Sequence, residues 1–290
     1  MTEALSIMLW PLVACLLLPG ILIYYGLHIV RREIIFVDLA LAQVAALGIC
    51  LSMLLRHDAH GWQTYGWSLG FTFVGAAIFT LTRTQDHRVP QEALIGIVYV
   101  VAAATAILLL SQSAEGDEEL KRTLVGDILL VQPAEVFRAF GLYALIGLIH
   151  FIFRKKFMLI SFEPEQAMAR GISVRGWDFL FYVLFGFVVT SFVHIGGVLM
   201  IFSYLIVPAV CANLLAHSLR VKLLLGWLTA TLASVVGLYV SYKHDLPTGA
   251  SIVCALGATL VLVGLASKYG RTSRQSAGPT AEVVAEKVER

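Results

Sequence analysis

Apolar residues run along this chain in long blocks, without the strict alternation of half-buried strands. Nine blocks stand out, at about 5–30, 34–55, 63–82, 92–111, 134–153, 177–193, 197–216, 223–242 and 248–267. Each is close to the roughly 20 residues that cross a hydrocarbon core at 1.5 Å per residue. Backbone groups in hydrocarbon must be paired within the protein, which leaves helices or a closed barrel, and unalternating blocks of this length specify helices. The pattern predicts an all-α, polytopic transmembrane bundle of eight or nine spans over residues 1–272. A polar tail over 273–290 is expected to be disordered, apart from a short helix over Ala281–Lys287.

The sixth and seventh blocks are separated only by His194-Ile195-Gly196-Gly197, too little for an ordinary loop, so a broken or re-entrant element is expected there. Pro11, Pro19, Gly20, Pro208 and Gly249 also interrupt apolar runs, either as tolerated kinks or as breaks that expose backbone to a pathway. The first block has no basic segment before it and no small-residue cleavage site after it, and reads as a retained span.

Composition agrees: 59% of the residues are hydrophobic and 14% charged, against about a quarter charged in soluble domains. A net charge of +2 gives no footprint for nucleic acid, and placement carries more meaning than the sum. With the loops alternating between two sides, sixteen of the 21 Lys and Arg fall on the side of Arg154–Arg175 and five on the other. The positive-inside rule makes the first side cytoplasmic, which puts the N-terminus and the acidic loop 115–119 outside and the C-terminus inside. Cys15, Cys50, Cys211 and Cys254 lie in apolar blocks and read as small buried hydrophobes rather than a disulfide framework.

No phosphate-binding GxxxxGK[ST] loop, HExxH helix, GxSxG elbow or CxxC pair occurs, so nothing supports an enzyme. The longest basic-side connection contains Ser161-Phe-Glu-Pro-Glu-Gln-Ala-Met-Ala-Arg-Gly171. Pro164 suits a first helical turn with Phe162 or Glu163 near its cap, Glu165 complements the dipole, and Gly171 suits the stop. A short helix with a signal at each end reads as a docking element for another subunit.

Four stretches resemble the membrane-spanning permease of the divalent-metal (zinc, manganese or iron) ABC importers: Ile34–Gly48, Glu92–Val98, Ser161–Gly171, and Gly197–Ala212 followed by Asp245–Ala250. The resemblance implies a multi-pass protein of the bacterial cytoplasmic membrane, in contact with lipid and working beside a second permease copy, identical or paralogous. It also implies a cytoplasmic ABC ATPase dimer that hydrolyses ATP and an extracytoplasmic metal-binding protein. No cofactor is bound permanently; the divalent metal is cargo. Phe162, Glu163, Pro164, Glu165 and Gly171 would meet the ATPase.

One pair of positions departs from the family pattern. The resemblance places an Asp/His pair four residues apart in the second span, where this chain has Leu39 and Gln43, with an acid one residue earlier at Asp38. Five residues turn a helix by about 500°, which sets Asp38 and Gln43 about 140° apart, so a straight helix cannot aim both at one ion. Asp38 is either a pathway group or a carboxylate neutralised by Arg31 and Arg32. His194 either supplies the missing imidazole or is a hydrogen-bonded structural residue. Asp38, Gln43 and His194 are the pathway candidates, and His57, Asp58 and His60 have the spacing of a loose capture site. The altered pair leaves a permease for a metal chelate or small cofactor as the alternative, and a gradient-driven transporter without an ATPase as a further one.

Overall fold

The computed structural model describes residues 2–58, 61–82, 90–111, 118, 123–126 and 128–276. His60, most of the acidic loop 115–119 and the tail beyond Ser276 lie outside the described residues. The described residues are helical, with no strand: α1 (Thr2–Leu17), α2 (Pro19–Arg32), α3 (Val37–Leu54), α4 (Trp62–Leu81), α5 (Gln91–Leu110), a 3-10 turn (Ile128–Leu130), α6 (Pro133–Ile152), α7 (Arg154–Phe162), α8 (Pro164–Ala169), α9 (Val174–Leu215), α10 (Leu219–His244) and α11 (Thr248–Ser276). Eight helical stretches are long and apolar enough to cross a membrane. The last helix runs four residues past the boundary expected at 272.

α1 and α2 form one span broken at Pro19, which opens α2 without a backbone donor. Beside that break, Trp227 Nε1 donates to the Leu16 carbonyl at 2.8 Å. α2 stops at Glu33, which takes a left-handed conformation (φ 58°) and turns the chain into α3.

α9 decides the topology. Its 42 residues would extend about 63 Å as a straight helix, twice the thickness of a hydrocarbon core. Gly197 breaks it, with φ 73° and ψ 172°, a conformation that essentially only glycine adopts. The Phe192 and Tyr204 rings, twelve positions apart and so about 18 Å apart on a straight helix, lie 5.9 Å from each other. Tyr25 on α2 meets Phe181 and Phe185 of the first arm, while its neighbour Gly26 abuts the Leu205 backbone of the second. The expected broken element is therefore a hairpin of two antiparallel arms, 174–196 and 198–215, joined at one residue. With it the described helices make nine passes.

The two ends of the bundle are defined by contact. At one end Arg31, Met158, Phe162, His217 and Lys222 line one cavity. At the other, Gly197 sits against residues 124–126, and Gly249, at the start of α11, abuts Val125. α9 is central, packing against α2, α3, α4, α10 and α11, whereas α5, α6 and α11 keep much of their apolar surface outward. Outward Leu and Val side chains are what a bilayer wets. Cys254 is exposed on α11, unlike the other three cysteines, because it lies on that outward face. Between helices, small residues allow close approach, as where Gly48 faces Ser68, and hydroxyl pairs such as Thr72–Thr190 (2.9 Å) and Tyr204–Ser234 (2.6 Å) satisfy the polar groups.

Replacing Gly197 by Ala imposes a positive φ that costs about 1–2 kcal/mol and drives a methyl group into the backbone of residues 124–126. The expected outcome is a clear fall in Tm of the purified protein in detergent. Gly96→Ala and Gly141→Ala, where the added methyl meets nothing, should leave Tm unchanged or slightly raised.

Candidate functional site

α3 offers one face that its neighbours do not fully cover. Phe36, Leu39, Leu47 and Leu51 keep partial or full exposure, and with Gln43 between Leu39 and Leu47 they form one stripe at steps of three or four residues. Gln43 is 2% exposed and its Oε1 has no hydrogen-bond partner. Asp38 lies on another face and is fully buried, with no ion pair and no side-chain hydrogen-bond partner among the described residues. Its electrostatic support is the positive end of α3, since it occupies the first turn.

The neutralising salt bridge from Arg31 or Arg32 to Asp38 does not form. Arg32 instead donates from Nη1 to Asp178 Oδ1 at 2.9 Å, both side chains almost fully buried. The left-handed turn at Glu33 carries α3 away from the end of α2, while the Arg32 side chain turns between α7 and α9. There its Nε donates to Ser161 Oγ at 2.8 Å and its guanidinium lies 4.1 Å over the Phe181 ring.

His194 stands sixteen residues beyond Asp178 on the first arm of α9, about 24 Å along the axis. Its Nδ1 donates to the Thr190 carbonyl oxygen at 2.8 Å. It lines a cavity of about 320 Å³ with Trp62, Tyr65, Glu135, Arg138 and Ser191. Asp38, Gln43 and His194 are thus not brought together: Asp38 belongs to the Arg32 end and His194 to the Gly197 end. Among the described residues no three His, Cys, Asp or Glu side chains gather as a metal site. After α3, His57 shares a 3.1 Å hydrogen bond with Ser52, which also pairs with Thr64.

The segment 161–172 is well defined. Phe162 ends α7, Glu163 caps α8, Pro164 occupies its first position and Glu165 its first turn. Gly171 follows with φ 69°. The Ile172 N–H reaches the Ala167 carbonyl at 3.0 Å and the Gly171 N–H reaches that of Met168 at 2.9 Å, the paired bonds of a Schellman stop. Ala167 is buried beneath the helix, Phe162 and Pro164 are half-buried, and Glu163, Glu165 and Gly171 are exposed. A single turn of helix is presented at the end of the bundle that also carries Arg31, Arg154 and Lys155.

Sequence reading missed a buried polar and aromatic group behind this segment. His150 contacts the hydroxyls of Tyr25 (2.8 Å) and Tyr24 (3.2 Å) and stacks on Phe157 at 4.1 Å. His28, fully buried, has no hydrogen-bond partner on either nitrogen and lies 5.7 Å from the Phe162 ring. The available signal was Asp178, an acid inside an apolar block, which has the same standing as Asp38.

These surroundings predict opposite responses to the same change. Asp178→Asn leaves the Arg32 charge buried without its counter-ion, a loss of about 3–5 kcal/mol, and should lower Tm steeply. Asp38→Asn removes a carboxylate that has no ion pair, and thermal unfolding in detergent should show Tm unchanged or higher.

The family model described as the ABC 3 transport family matches residues 4–268. The chain is 29% identical over 228 residues, 79% of its length and 80% of the relative's, to a manganese import system permease protein, ScaB, of Streptococcus gordonii. It is 30% identical over 196 residues, 65% of this chain and 69% of the relative, to a manganese transport system membrane protein, MntC, of Listeria innocua. Among solved structures, PsaBC from Streptococcus pneumoniae in complex with Fab superposes with a TM-score of 0.76 at 26% identity, over 90% of this chain and 93% of that one. With a matching model over nearly its whole length and the nine-pass helical bundle in place, the chain belongs to the ABC 3 transport family.

Proposed function

We propose that the chain is the membrane-spanning permease subunit of an ATP-driven importer that moves a divalent transition metal into the cytoplasm, with manganese, zinc and iron as the candidate ions. The observation that carries this reading is α8: a single capped helical turn with exposed acids, set at the basic end of a bundle whose relatives are named as manganese import permeases. A solvated loop needs neither a proline start nor a Schellman stop, whereas a helix that fits a groove on a moving subunit needs both ends defined.

In this reading the basic end is cytoplasmic, the N-terminus outside and the C-terminus inside, in accord with the positive-inside rule. A cytoplasmic ATPase dimer holds α8 by Phe162, Glu163, Pro164, Glu165 and Gly171, and an extracytoplasmic protein delivers the ion. The partly uncovered α3 stripe of Leu39, Gln43 and Leu47 faces a second permease copy across the path, and His194 lines an outer vestibule. Asp38 acts from behind the stripe. The chain itself performs no hydrolysis. A second reading, a permease for a metal chelate, is favoured by that same stripe: Leu39 and an amide at Gln43 are poor ligands for a bare ion and tolerate a ligand-wrapped one.

Membrane vesicles holding the chain with its ATPase and loaded binding protein should accumulate manganese, zinc or ferrous ion only when ATP is inside the ATPase compartment. Uptake of a chelate with none of a free ion would select the second reading, and uptake under a proton or sodium gradient without the ATPase would overturn both. Glu165→Lys and Gly171→Val should each cut ATP-driven uptake at least tenfold with normal membrane insertion. The double variant Leu39→Asp, Gln43→His puts two ion ligands four residues apart on the partly covered stripe, and calorimetric titration should show manganese or zinc affinity raised at least tenfold.

A further inference from the structure

We propose that Arg32 is a positioning residue of the transport cycle, a buried clamp through which displacement of α8 moves α2 and the first arm of α9 as one body. The inference rests on the permease reading above. Its structural basis is that a single guanidinium joins three elements. It ends α2, donates from Nε to Ser161 Oγ in α7 at 2.8 Å, and donates from Nη1 to Asp178 in α9 at 2.9 Å. The Phe181 ring lies 4.1 Å beneath it, and the side chains of the ion pair are 4% and 0% exposed.

The chemistry suits force transmission better than mere attachment. A guanidinium fork bonds two partners in fixed relative directions, which an ammonium on a flexible stem does not. Away from water, neither bond exchanges with solvent, so the geometry persists while the parts move. Ser161 stands three residues before Pro164, with only Phe162 and Glu163 between the clamp and α8. Around the clamp α7 is fixed by aromatic contacts to its neighbours: Phe157 to Trp177 at 5.5 Å and to His150 at 4.1 Å, and Phe162 to His28 at 5.7 Å. The Arg31 guanidinium lies 5.7 Å over Phe162. α8 is by contrast exposed on most of its surface. From Asp178 the first arm continues without a break to Gly197, about 28 Å at 1.5 Å per residue, where it meets the loop at 124–126. A push on α8 therefore has a stiff route to the far end of the bundle.

An ion pair that only holds the fold together would look similar in a static structure, so the test uses variants that keep it. Ser161→Ala removes one clamp bond and leaves the ion pair, and Arg32→Lys keeps the charge and loses the fork. Each is purified with the ATPase and reconstituted in vesicles with the loaded binding protein, and the number of ions imported per ATP hydrolysed is measured beside the amount of ATPase retained. The expected result is retention of the ATPase at the parental ratio with ions per ATP lowered at least fivefold in both variants. Parental ions per ATP in both would overturn the clamp, as would a fall in transport explained by lost folded complex. A parental chain that retains no ATPase and shows no ATP-driven uptake would overturn the permease reading, and the clamp with it.

Discussion

The reversal at Gly197 is the constraint on which the rest of the architecture depends. Residues 174–215 are helical almost without interruption, yet both halves lie beside α2 at the same depth, Phe181 and Phe185 against Tyr25 and Leu205 against Gly26. A single glycine in a conformation closed to other residues turns the helix back with no loop between the two arms. Both arms of α9 then occupy the centre, and α2, α3, α4, α10 and α11 are arranged around them. The same turn gives the nine passes and places the start of the first span and the end of the last at opposite ends.

Burying ionisable groups in such a bundle is costly, and the two buried acids meet the cost differently. Asp178 is paired with Arg32 at 2.9 Å, in a site where removing either partner would leave a charge without compensation. Asp38 has no ion pair and relies on the first turn of α3. Buried charge that is fully paired ties elements together. A buried acid that is unpaired is tolerated where something other than stability favours it.

The regions that would meet partners are the least embedded. α8 stands out at the basic end with one buried residue, Ala167, holding it to the bundle, and the α3 stripe leaves Leu39, Leu47 and Leu51 partly exposed.

Much of this was legible in the sequence, for identifiable reasons. Block length and the absence of alternation determine helical spans because the bilayer allows little else, and Pro164 and Gly171 mark the bounds of α8 because their backbone preferences are local. The break near His194-Ile-Gly-Gly197 was visible too, but whether it was a kink, a re-entrant element or a full reversal was not, since that depends on which residues the two arms meet. The partner of Arg32 was likewise out of reach. Sequence proximity favoured Asp38, six positions away, and the left-handed turn at Glu33 gave the bond to Asp178, 146 positions away. The sequence by itself determined what each segment is, because propensity and burial in lipid act residue by residue. Only the tertiary structure decided which buried charges pair, because pairing depends on the direction in which each helix leaves its turn.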